Sequence, residues 1–569
     1  MDGPATHTEC NGMNGASTAA VAAPCAQGSG EGCLKRVGGF VPPDYRNEII
    51  QVVKLAGPVV FSQLMFFLIG IISLVFCGHL GKTELAGVSL AAVVVNVTGI
   101  SIGTGLSCTC DTLISQTYGS GNLKRVGVIL QRGVLILLLA CFPCWAVLIN
   151  TEALLLAVKQ SPEVASLSQL YVKIFMPALP AAFMYQLQGR YLQNQGIMWP
   201  QVITGLFGNV LNAIINYVFL YPLELGIAGS AAANAISQYV LAVVLYIYIY
   251  WRGLHKATWG GWSFDCLQEW GPFVKLAIPS MLMICLAWWI FEVGVLLAGV
   301  ISEVELGAQS IVYQLCITAH MFPLGFSVAA SVRVGNALGA GNTEQAKLSC
   351  KVPIICAFIV ACFVGTSLSI SRYVIGYIFT SEQDIIQRVA DVMLIFGVMH
   401  ICDATAGAAS GVLRGTGKQL IGALCNLVGF YFIGFPIGVS LMFAANIGIV
   451  GLWTGLAIGV SLQALVFVTF LCKLDWEKAA EEALVRAGVK ITEEKEMVEL
   501  EDTDLKQEGD ANLEVHDSGH SRLQFTTTTV GHLLSVKQLV LRRGLTLLIM
   551  IVILTVGIVT SSLLVKQFK

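Results

Sequence analysis

Five ionisable side chains stand inside long apolar stretches of this sequence, where charge is expensive. They are one glutamate, two aspartates and two histidines: Glu292, His320, Asp391, His400 and Asp403. An ionisable group inside hydrocarbon costs about 2.5–3.5 kcal/mol on insertion scales, so such groups are functional candidates. Burial raises the pKa of a carboxyl group and a neighbouring cation lowers it, so a proton and a cationic ligand compete for the same carboxylate. We therefore expect proton and cation binding, with no catalytic residues and no enzymatic reaction.

The spacing around these residues predicts how they cooperate. His400 and Asp403 lie three residues apart, on one face of a helix, close enough to share a proton. Trp288 precedes Glu292 by four residues, so an aromatic face can stand beside a carboxylate and attract a flat organic cation. We predict that Glu292, Asp403 and His400 exchange protons. For His400 and for His320, a hydrogen-bonded place in the core is the alternative.

Composition indicates which elements must position these residues. Hydrophobic residues make up 56% of the 569-residue chain and charged residues 12%, against ~25% charged residues in soluble proteins. This is a membrane protein, and continuous apolar runs of about 20 residues predict helices rather than β-barrel strands. Twelve such runs precede a polar segment, and a thirteenth, about 544–565, follows it. The twelve are 52–77, 85–108, 127–149, 168–188, 200–221, 227–250, 273–300, 306–331, 353–371, 389–412, 420–443 and 448–472.

Lysine and arginine resist translocation, so their distribution predicts the orientation of the chain. With the N-terminus in the cytoplasm, sixteen basic residues up to the twelfth span fall on the cytoplasmic side and five on the other, namely Lys82, Lys159, Lys173, Arg372 and Arg388. The acidic segment 473–540 then lies in the cytoplasm, and the last span, within 541–569, places the C-terminus outside. We predict that 1–49 is a disordered tail, and that 473–540 is a short surface helix followed by disorder.

An internal repeat organises the spans. At an offset of 220 to 221 residues, 105–122 matches 325–342 and 54–58 matches 275–279. Six helices per copy make the repeats parallel, so we predict an all-α integral membrane fold of two six-helix lobes, 50–251 and 252–472, plus the thirteenth helix. Rocking one lobe against the other would expose a central cleft to alternate sides, which is the architecture of a secondary transporter.

The repeat also tests whether the fold needs its intramembrane acids. The counterparts of Glu292 and Asp403, 221 positions earlier, are Ile71 and Ala182. The same helices of the first copy carry apolar residues there, so the two acids point to function rather than architecture.

Other function classes lack their motifs. The seventeen cysteines form no CxxC pair followed by a second pair or by histidines, so we expect no metal site and no cofactor. No P-loop is present, which disfavours ATP-driven pumping, and no basic face indicates a nucleic-acid partner. A channel-like or interaction protein that uses the acidic segment is the alternative from another class.

Several motifs resemble one family. VFCGHLGK (75–82), CDTLISQTYG (110–119), QSIVY (309–313), SVRVGNALGAG (331–341) and GVLRGTG (411–417) are similar to the multidrug and toxic compound extrusion family. The stretches ATWGGW (257–262) and LSVKQLVLRRG (534–544) are similar to its vertebrate multidrug and toxin extrusion branch. The resemblance covers nearly everything from 50 to 472, together with the last span.

This resemblance implies twelve core helices in two lobes and export of organic cations in exchange for protons. It also implies a plasma-membrane protein that works as a monomer in the lipid bilayer. Polar positions at the cleft of the family match Gln63, Asn96, Tyr313 and Gln314 of this sequence. With the residues above, the predicted substrate-binding set is Gln63, Asn96, Trp288, Phe291, Glu292, Tyr313, Gln314, His320 and Asp403.

Three positions depart from the family pattern. A glutamate expected before the tryptophan pair is Ala287, a glutamate expected after the tyrosine of the eighth span is Gln314, and a later tyrosine is His320. Two of four family carboxylates are therefore missing, although Glu292 and Asp403 are kept. The alternative hypothesis within transport is uncoupled or differently coupled movement of neutral or zwitterionic solutes.

Other polar residues are expected to hold the fold together. Asn209, Asn212 and Asn216 repeat along the fifth span and are predicted to bond neighbouring helices. Asp111 and Arg333 lie at corresponding helix ends, where we expect structural or gating roles.

Overall fold

The structure, a computed structural model, describes residues 42–490, 524–525 and 533–568. Within this part of the chain, thirteen helices are long and apolar enough to cross a membrane, which confirms the predicted number. The first twelve are α1 Pro43–Gly78, α2 Thr83–Gly119, α3 Leu123–Leu148, α4 Pro162–Gln193, α5 Trp199–Leu220, α6 Gly226–Trp251, α7 Trp270–Ile301, α8 Glu303–Gly339, α9 Thr343–Ile370, α10 Gln383–Thr416, α11 Gln419–Ala444 and α12 Ile449–Cys472.

Two helices and a small strand pair follow α12. α13 is Trp476–Ala487, and α14, the thirteenth membrane helix, is Val536–Phe568. Between them in the chain, β1 Val489–Lys490 pairs antiparallel with β2 Gln524–Phe525. Short helical turns connect the spans at Thr151–Ala157, Phe264–Leu267, Arg372–Ile375 and Gly376–Ile378.

Two membrane helices contain wide turns. α2 has a π-helical turn at Asn96–Ile100, and α11 has two, Leu427–Gly434 and Ser440–Ala444. α11 packs against α12 through glycines, since a Cβ on Gly455 would lie 2.2 Å from the backbone nitrogen of Gly438. Such turns are frequent at functional sites, and the turn in α2 borders the site described below.

The apolar cores follow the two copies of the repeat. Buried side chains of α1–α6, among them Phe183, form one cluster, and those of α8, α10 and α12, among them Trp453, belong to others. We call α1–α6 the first half and α7–α12 the second half. The start of α7 nevertheless packs on the first half, because Phe273 belongs to the first cluster.

The predicted N-terminal boundary is wrong by seven residues. α1 begins at Pro43, so residues 43–49, predicted as part of a disordered tail, are helical. A proline in the first turn and the acidic Asp44 beside it both favour a helix start at this point. The rest of the predicted tail, 1–41, lies outside the described residues.

The last membrane helix also begins earlier than predicted, at Val536 rather than near 544. Its polar first turns are docked, because the Arg543 guanidinium donates to the Leu267 carbonyl at 2.7 Å and lies 4.2 Å from the centre of the Trp270 ring. The surface helix predicted in 473–540 is α13, which confirms that part of the prediction. The residues 491–523 and 526–532, predicted as disordered, lie outside those that the structure describes.

The three asparagines of α5 bond to neighbouring helices as predicted. Asn209 Nδ2 donates to the Met65 carbonyl at 2.6 Å, and Asn212 Nδ2 donates to Ser237 Oγ at 2.9 Å. Asn216 Nδ2 lies 3.4 Å from Ser73 Oγ. These bonds tie α5 to α1 and α6 within the first half.

Candidate functional site

Glu292 on α7 stands against an aromatic wall. The Tyr313 hydroxyl on α8 donates a hydrogen bond to Glu292 Oε1 at 2.8 Å. The Phe291 ring stacks on the Tyr313 ring with centroids 6.3 Å apart, and it lies 5.9 Å from the Trp453 ring. Because a carboxylate and flat rings both attract an organic cation, this group of residues suits such a ligand.

His320 and Asp403 form a second pair. His320 Nδ1 lies 2.8 Å from Asp403 Oδ2, and this bond joins α8 to α10. The side chain of His320 is 34% exposed and that of Asp403 18%. The His320 side chain is therefore more exposed than the Asp403 carboxylate that it contacts.

One face of α8 serves both pairs. Tyr313 and His320 are seven residues apart, which is almost two whole turns, so their side chains leave the helix in nearly the same direction. At 1.5 Å per residue they are separated by about 10 Å along the axis. Tyr313 meets Glu292 from α7 and His320 meets Asp403 from α10. α8 thus brings the two predicted acids to one side of the second half.

The predicted link between His400 and Asp403 does not form. His400 is fully buried, and within the described chain neither of its ring nitrogens has a hydrogen-bond partner. Its ring packs against Phe396, with centroids 5.5 Å apart. The two residues are close on α10, but α8 supplies the partner of the carboxylate in His320.

The tryptophan pair and the π turn of α2 lie where the halves meet. The Trp289 indole N–H is 3.1 Å from the Val97 carbonyl oxygen and 3.2 Å from Ser101 Oγ, so Trp289 bonds to the first half. Trp288, the predicted ligand-binding member of the pair, is 38% exposed. Asn96 is exposed and begins the π turn. Sequence spacing alone did not identify Trp289 as the residue that joins the halves.

In the described part of the chain, the remaining predicted positions form no side-chain hydrogen bond with these two pairs. Gln63 on α1 and Gln314 on α8 are half-buried. Ala287, where the family pattern has a glutamate, packs against the apolar cluster of the second half. Within the described part of the chain, no three His, Cys, Asp or Glu side chains converge closely enough to hold a metal ion.

At one end of the bundle, α2 and α8 meet through their backbones. A Cβ on Gly119 would lie 2.1 Å from the Asn336 carbonyl oxygen, and a Cβ on Gly339 would lie 1.9 Å from that of Gln116. Only glycine permits two helices to approach so closely. We call the end that carries Gly119 and Gly339 the closed end.

Buried charges join the halves at the closed end. Arg333 Nε of α8 donates to Glu48 Oε1 of α1 at 3.0 Å. Arg190 of α4 and Arg414 of α10 approach the carboxylate of Asp111 to 3.3 and 3.4 Å. The positions of Asp111 and Arg333 fit the structural or gating roles expected of them. Sequence reasoning did not identify Glu48, Arg190 and Arg414.

Polar contacts between the halves are confined to one side of the site. Among the described residues of α1–α12, the hydrogen bonds and ion pairs that join the halves lie between the level of Val97 and Trp289 and the closed end. No such bond joins the described parts of the halves on the other side of that level. The polar contacts between the halves therefore lie on the Gly119 side of the site.

α13 crosses the closed end and contacts both halves. Arg486 Nη1 lies 3.3 Å from Gln116 Oε1 of the first half and 3.4 Å from the Thr416 carbonyl oxygen of the second. Glu482 Oε2 accepts from Lys418 Nζ and from Arg486, both at 2.8 Å. Partial burial acts to raise the pKa of Glu482, but the bonds and charges of Lys418 and Arg486 outweigh it and hold the pKa below its usual value.

Both copies of the repeat match one family model. The MatE family model matches residues 58–218 and 279–440. The two matches begin 221 residues apart, which is the offset of the internal repeat. The chain belongs to the MatE family. This membership confirms the resemblance found in the motifs, and makes the chain a multi-pass membrane transporter of the multidrug and toxin extrusion type.

Relatives of this MatE chain match it along most of its length. It is 63% identical over 555 residues to multidrug and toxin extrusion protein 1 of Danio rerio, covering 95% of this chain and 94% of that protein. The protein of the same name from Homo sapiens is 51% identical over 531 residues, covering 90% and 93%. The crystal structure of the eukaryotic MATE transporter AtDTX14 superimposes with a TM-score of 0.75 at 28% identity, covering 78% of this chain and 100% of that chain. These matches confirm the all-α membrane fold.

Proposed function

We propose that this MatE chain exports organic cations across the plasma membrane in exchange for protons. The observation that carries the proposal is the pair of carboxylates, Glu292 and Asp403, each bonded to a side chain midway along α8. Their counterparts in the first copy of the repeat are Ile71 and Ala182, so the fold does not require acids there. A carboxylate in the membrane that can hold either a proton or a cation provides the exchange chemistry.

Alternating access of the two halves supplies the movement. The present arrangement is joined at the closed end by α2 and α8, and the distribution of lysine and arginine assigns that end to the cytoplasm. It then corresponds to a state open to the outside, with the N-terminus in the cytoplasm and the C-terminus extracellular. Parting α2 from α8 would open the site inward. Because one chain carries both copies of the repeat, a monomer is sufficient.

We assign the cation to the group formed by Glu292, Tyr313 and Phe291, where a carboxylate adjoins stacked rings. Gln63, Asn96, Trp288 and Gln314 are proposed to line the same space. We assign the proton to the pair of Asp403 and His320, with His400 behind it. The spacing of the two groups along α8 allows the occupancy of one to affect the other through charge.

A second candidate is movement of neutral or zwitterionic solutes. It is favoured by Ala287 and Gln314, which remove two carboxylates from the family pattern, and by His320, which occupies the carboxylate of Asp403. A site with fewer free negative charges attracts a cation less strongly. On this hypothesis, saturable flux would be indifferent to pH and sodium.

Reconstituted full-length protein distinguishes the candidates. Proteoliposomes with an acidic interior should accumulate labelled tetraethylammonium as protons leave, and collapsing the pH gradient should stop the accumulation. The Glu292→Gln variant, reconstituted at equal density, is the matched control and should accumulate little. Flux driven by a sodium gradient instead would replace the proton in the proposal. Absence of gradient-dependent flux for every cation in a broad panel would overturn it.

A further inference from the structure

One ring nitrogen of His320 contacts a carboxylate, and the other does not. Nδ1 faces Asp403 Oδ2 at 2.8 Å, and the ring as a whole is about one-third exposed. Because Nδ1 is occupied by the carboxylate, Nε2 on the opposite edge of the ring is the nitrogen left for solvent. Asp403 lies behind the histidine and is the less exposed of the two.

This arrangement fixes how the pair takes up a proton. An ionised carboxylate can only accept a hydrogen bond, so the Nδ1 that faces Asp403 carries the hydrogen of the neutral ring. Nε2 then carries the lone pair. A proton that arrives from the open side forms an Nε2–H bond while the Nδ1–H bond to Asp403 stays intact. The carboxylate stabilises the resulting imidazolium by its charge.

We propose that His320, rather than a carboxyl group, is the residue through which coupling protons enter and leave, and that Asp403 acts by fixing its tautomer and stabilising its charge. The inference rests on the proposed proton exchange. One proton bonds to Nε2 while the site is open to the outside, and the same proton leaves Nε2 after the site opens to the cytoplasm. His320 is then the proton-binding residue and Asp403 a positioning residue.

The placement of His320 on α8 explains why proton and substrate exclude each other. His320 and Tyr313 share one face of the helix, with about 10 Å between them along the axis. Tyr313 is bonded to Glu292, to which we assign the cation. Proton binding at Nε2 therefore adds a positive charge beside the cation site, which favours release of a cationic substrate. Loss of the proton restores the negative charge of the pair and permits the next cation to bind.

Two other titratable groups among the described residues stand near this pair. His400 on α10 is fully buried and packs on Phe396, so its nitrogens have no path to solvent in this state. Cys316 lies one turn before His320 on α8 and is also buried. Both residues are buried, whereas the His320 side chain is about one-third exposed. The geometry thus favours His320 as the proton-binding histidine, whereas sequence spacing had suggested His400.

Initial rates of uptake test this assignment. Cells that express the full chain are given labelled tetraethylammonium at external pH 7.5 and 5.5, with uptake by vector-only cells subtracted. Protonation of His320 at the lower pH places a positive charge beside the cation site, so uptake should fall several-fold. His320→Gln keeps a hydrogen-bonding side chain beside Asp403 but cannot take the proton. Whatever its uptake at pH 7.5, that uptake should fall less than twofold at pH 5.5.

Control variants make the outcome decisive. His79→Gln changes an exposed histidine after α1 and should keep the several-fold fall. His320→Tyr should flatten the profile as His320→Gln does, and binding of labelled tetraethylammonium to purified protein at the two pH values removes any effect of the gradient. A several-fold fall that survives in both His320 variants overturns the inference, as does flattening in His400→Gln alone. Wild-type uptake that is equal at both pH values refutes the proposed proton exchange itself.

Discussion

Glu48 and Glu269 stand 221 residues apart, which is the offset of the repeat. Each forms an ion pair with arginine from the other half of the protein. Glu48, at the start of α1, is bonded by Arg333 of α8, and Glu269, just before α7, by Arg125 and Arg132 of α3 at 3.0 and 3.2 Å. The two glutamates are therefore equivalent in the repeat, while their arginine partners come from α8 and α3. Each glutamate joins the start of its own half to the opposite half.

Neutralising Glu48 should destabilise the protein. Glu48 is 3% exposed and is bonded by Arg333, Gln345 and Ser349, so Glu48→Gln leaves the guanidinium without its counter-charge. Removing one partner of a buried ion pair lowers the free energy of unfolding by about 3–5 kcal/mol. We expect about 3 kcal/mol here, because Arg333 keeps some contact with solvent. Thermal unfolding of purified protein should show a lower midpoint. Glu344→Gln, which breaks an exposed pair with Lys347, should leave the midpoint unchanged.

Neutralising either intramembrane acid should abolish most transport without preventing insertion. Glu292→Gln and Asp403→Asn remove the groups assigned to the cation and to the proton pair. The fold should tolerate both, since Ile71 and Ala182 fill the equivalent positions in the first copy. Tetraethylammonium flux, corrected for protein at the cell surface, is the measurement. Normal flux in both variants would contradict the carboxylate mechanism.

The sequence predicted the membrane helices and the two acids well because both signals are local or repeated. Apolar runs set the helices, and the repeat marked Glu292 and Asp403 as residues that the fold does not need. Partner choice was not predictable in the same way. Spacing along α10 pointed to His400 as the partner of Asp403, but the closer partner comes from α8, 83 positions away in the chain.

The closed end shows a second limit of sequence reasoning. Glu48 and Glu269 lie at the repeat offset, so their equivalence was present in the sequence. Their arginine partners are not related by that offset, because Arg333 lies on α8 and Arg125 lies on α3. Which surfaces of the halves face each other depends on how whole helices pack, and a single chain gives no signal for that. The start of α14 was missed for a smaller reason, since Arg543 in its polar first turns is bonded to the Leu267 carbonyl. The start of α1 was missed because most of its first residues are polar and exposed.

Restoring a glutamate at Ala287 should strengthen cation binding and steepen the pH dependence of flux. Residues 287 and 292 are five apart, about 140° around a helix, so the new acid adds a charge beside Glu292 without replacing it. Glu292→Gln should then be less damaging in the Ala287→Glu background than in the original chain, because neighbouring carboxylates act jointly. Saturation curves for tetraethylammonium at two pH values measure both effects. Strictly additive effects of the two changes would contradict a shared site.

The attachment of α13 should depend on pH through Glu482. Lys418 and Arg486 hold the pKa of this carboxyl below its usual value despite partial burial, so the ionised form stabilises the attached helix. A lowered pKa in the folded state gives stability that is present above the unfolded pKa, about 4.3, and is lost as pH falls through the folded value. Amide exchange in α13, corrected for intrinsic rates, should accelerate relative to α12 below about pH 4. Glu482→Gln should show no such pH dependence.

Cutting the bridge made by Arg486 should ease opening of the closed end. Its guanidinium contacts Gln116 in one half and the Thr416 carbonyl in the other, so separation of the halves must break at least one of these contacts. Arg486→Ala removes both contacts and lowers the free energy needed to part α2 from α8.

A cysteine placed at Ser331, which is fully buried on α8, reports that parting, because an impermeant maleimide can reach it only when the closed end opens. Labelling from the side of the closed end should be several-fold faster in Ser331→Cys with Arg486→Ala than in Ser331→Cys alone. Glu481→Ala, an exposed change on the same helix, should leave the labelling rate as it was. Equal rates in all three backgrounds would mean that α13 does not hold the halves together.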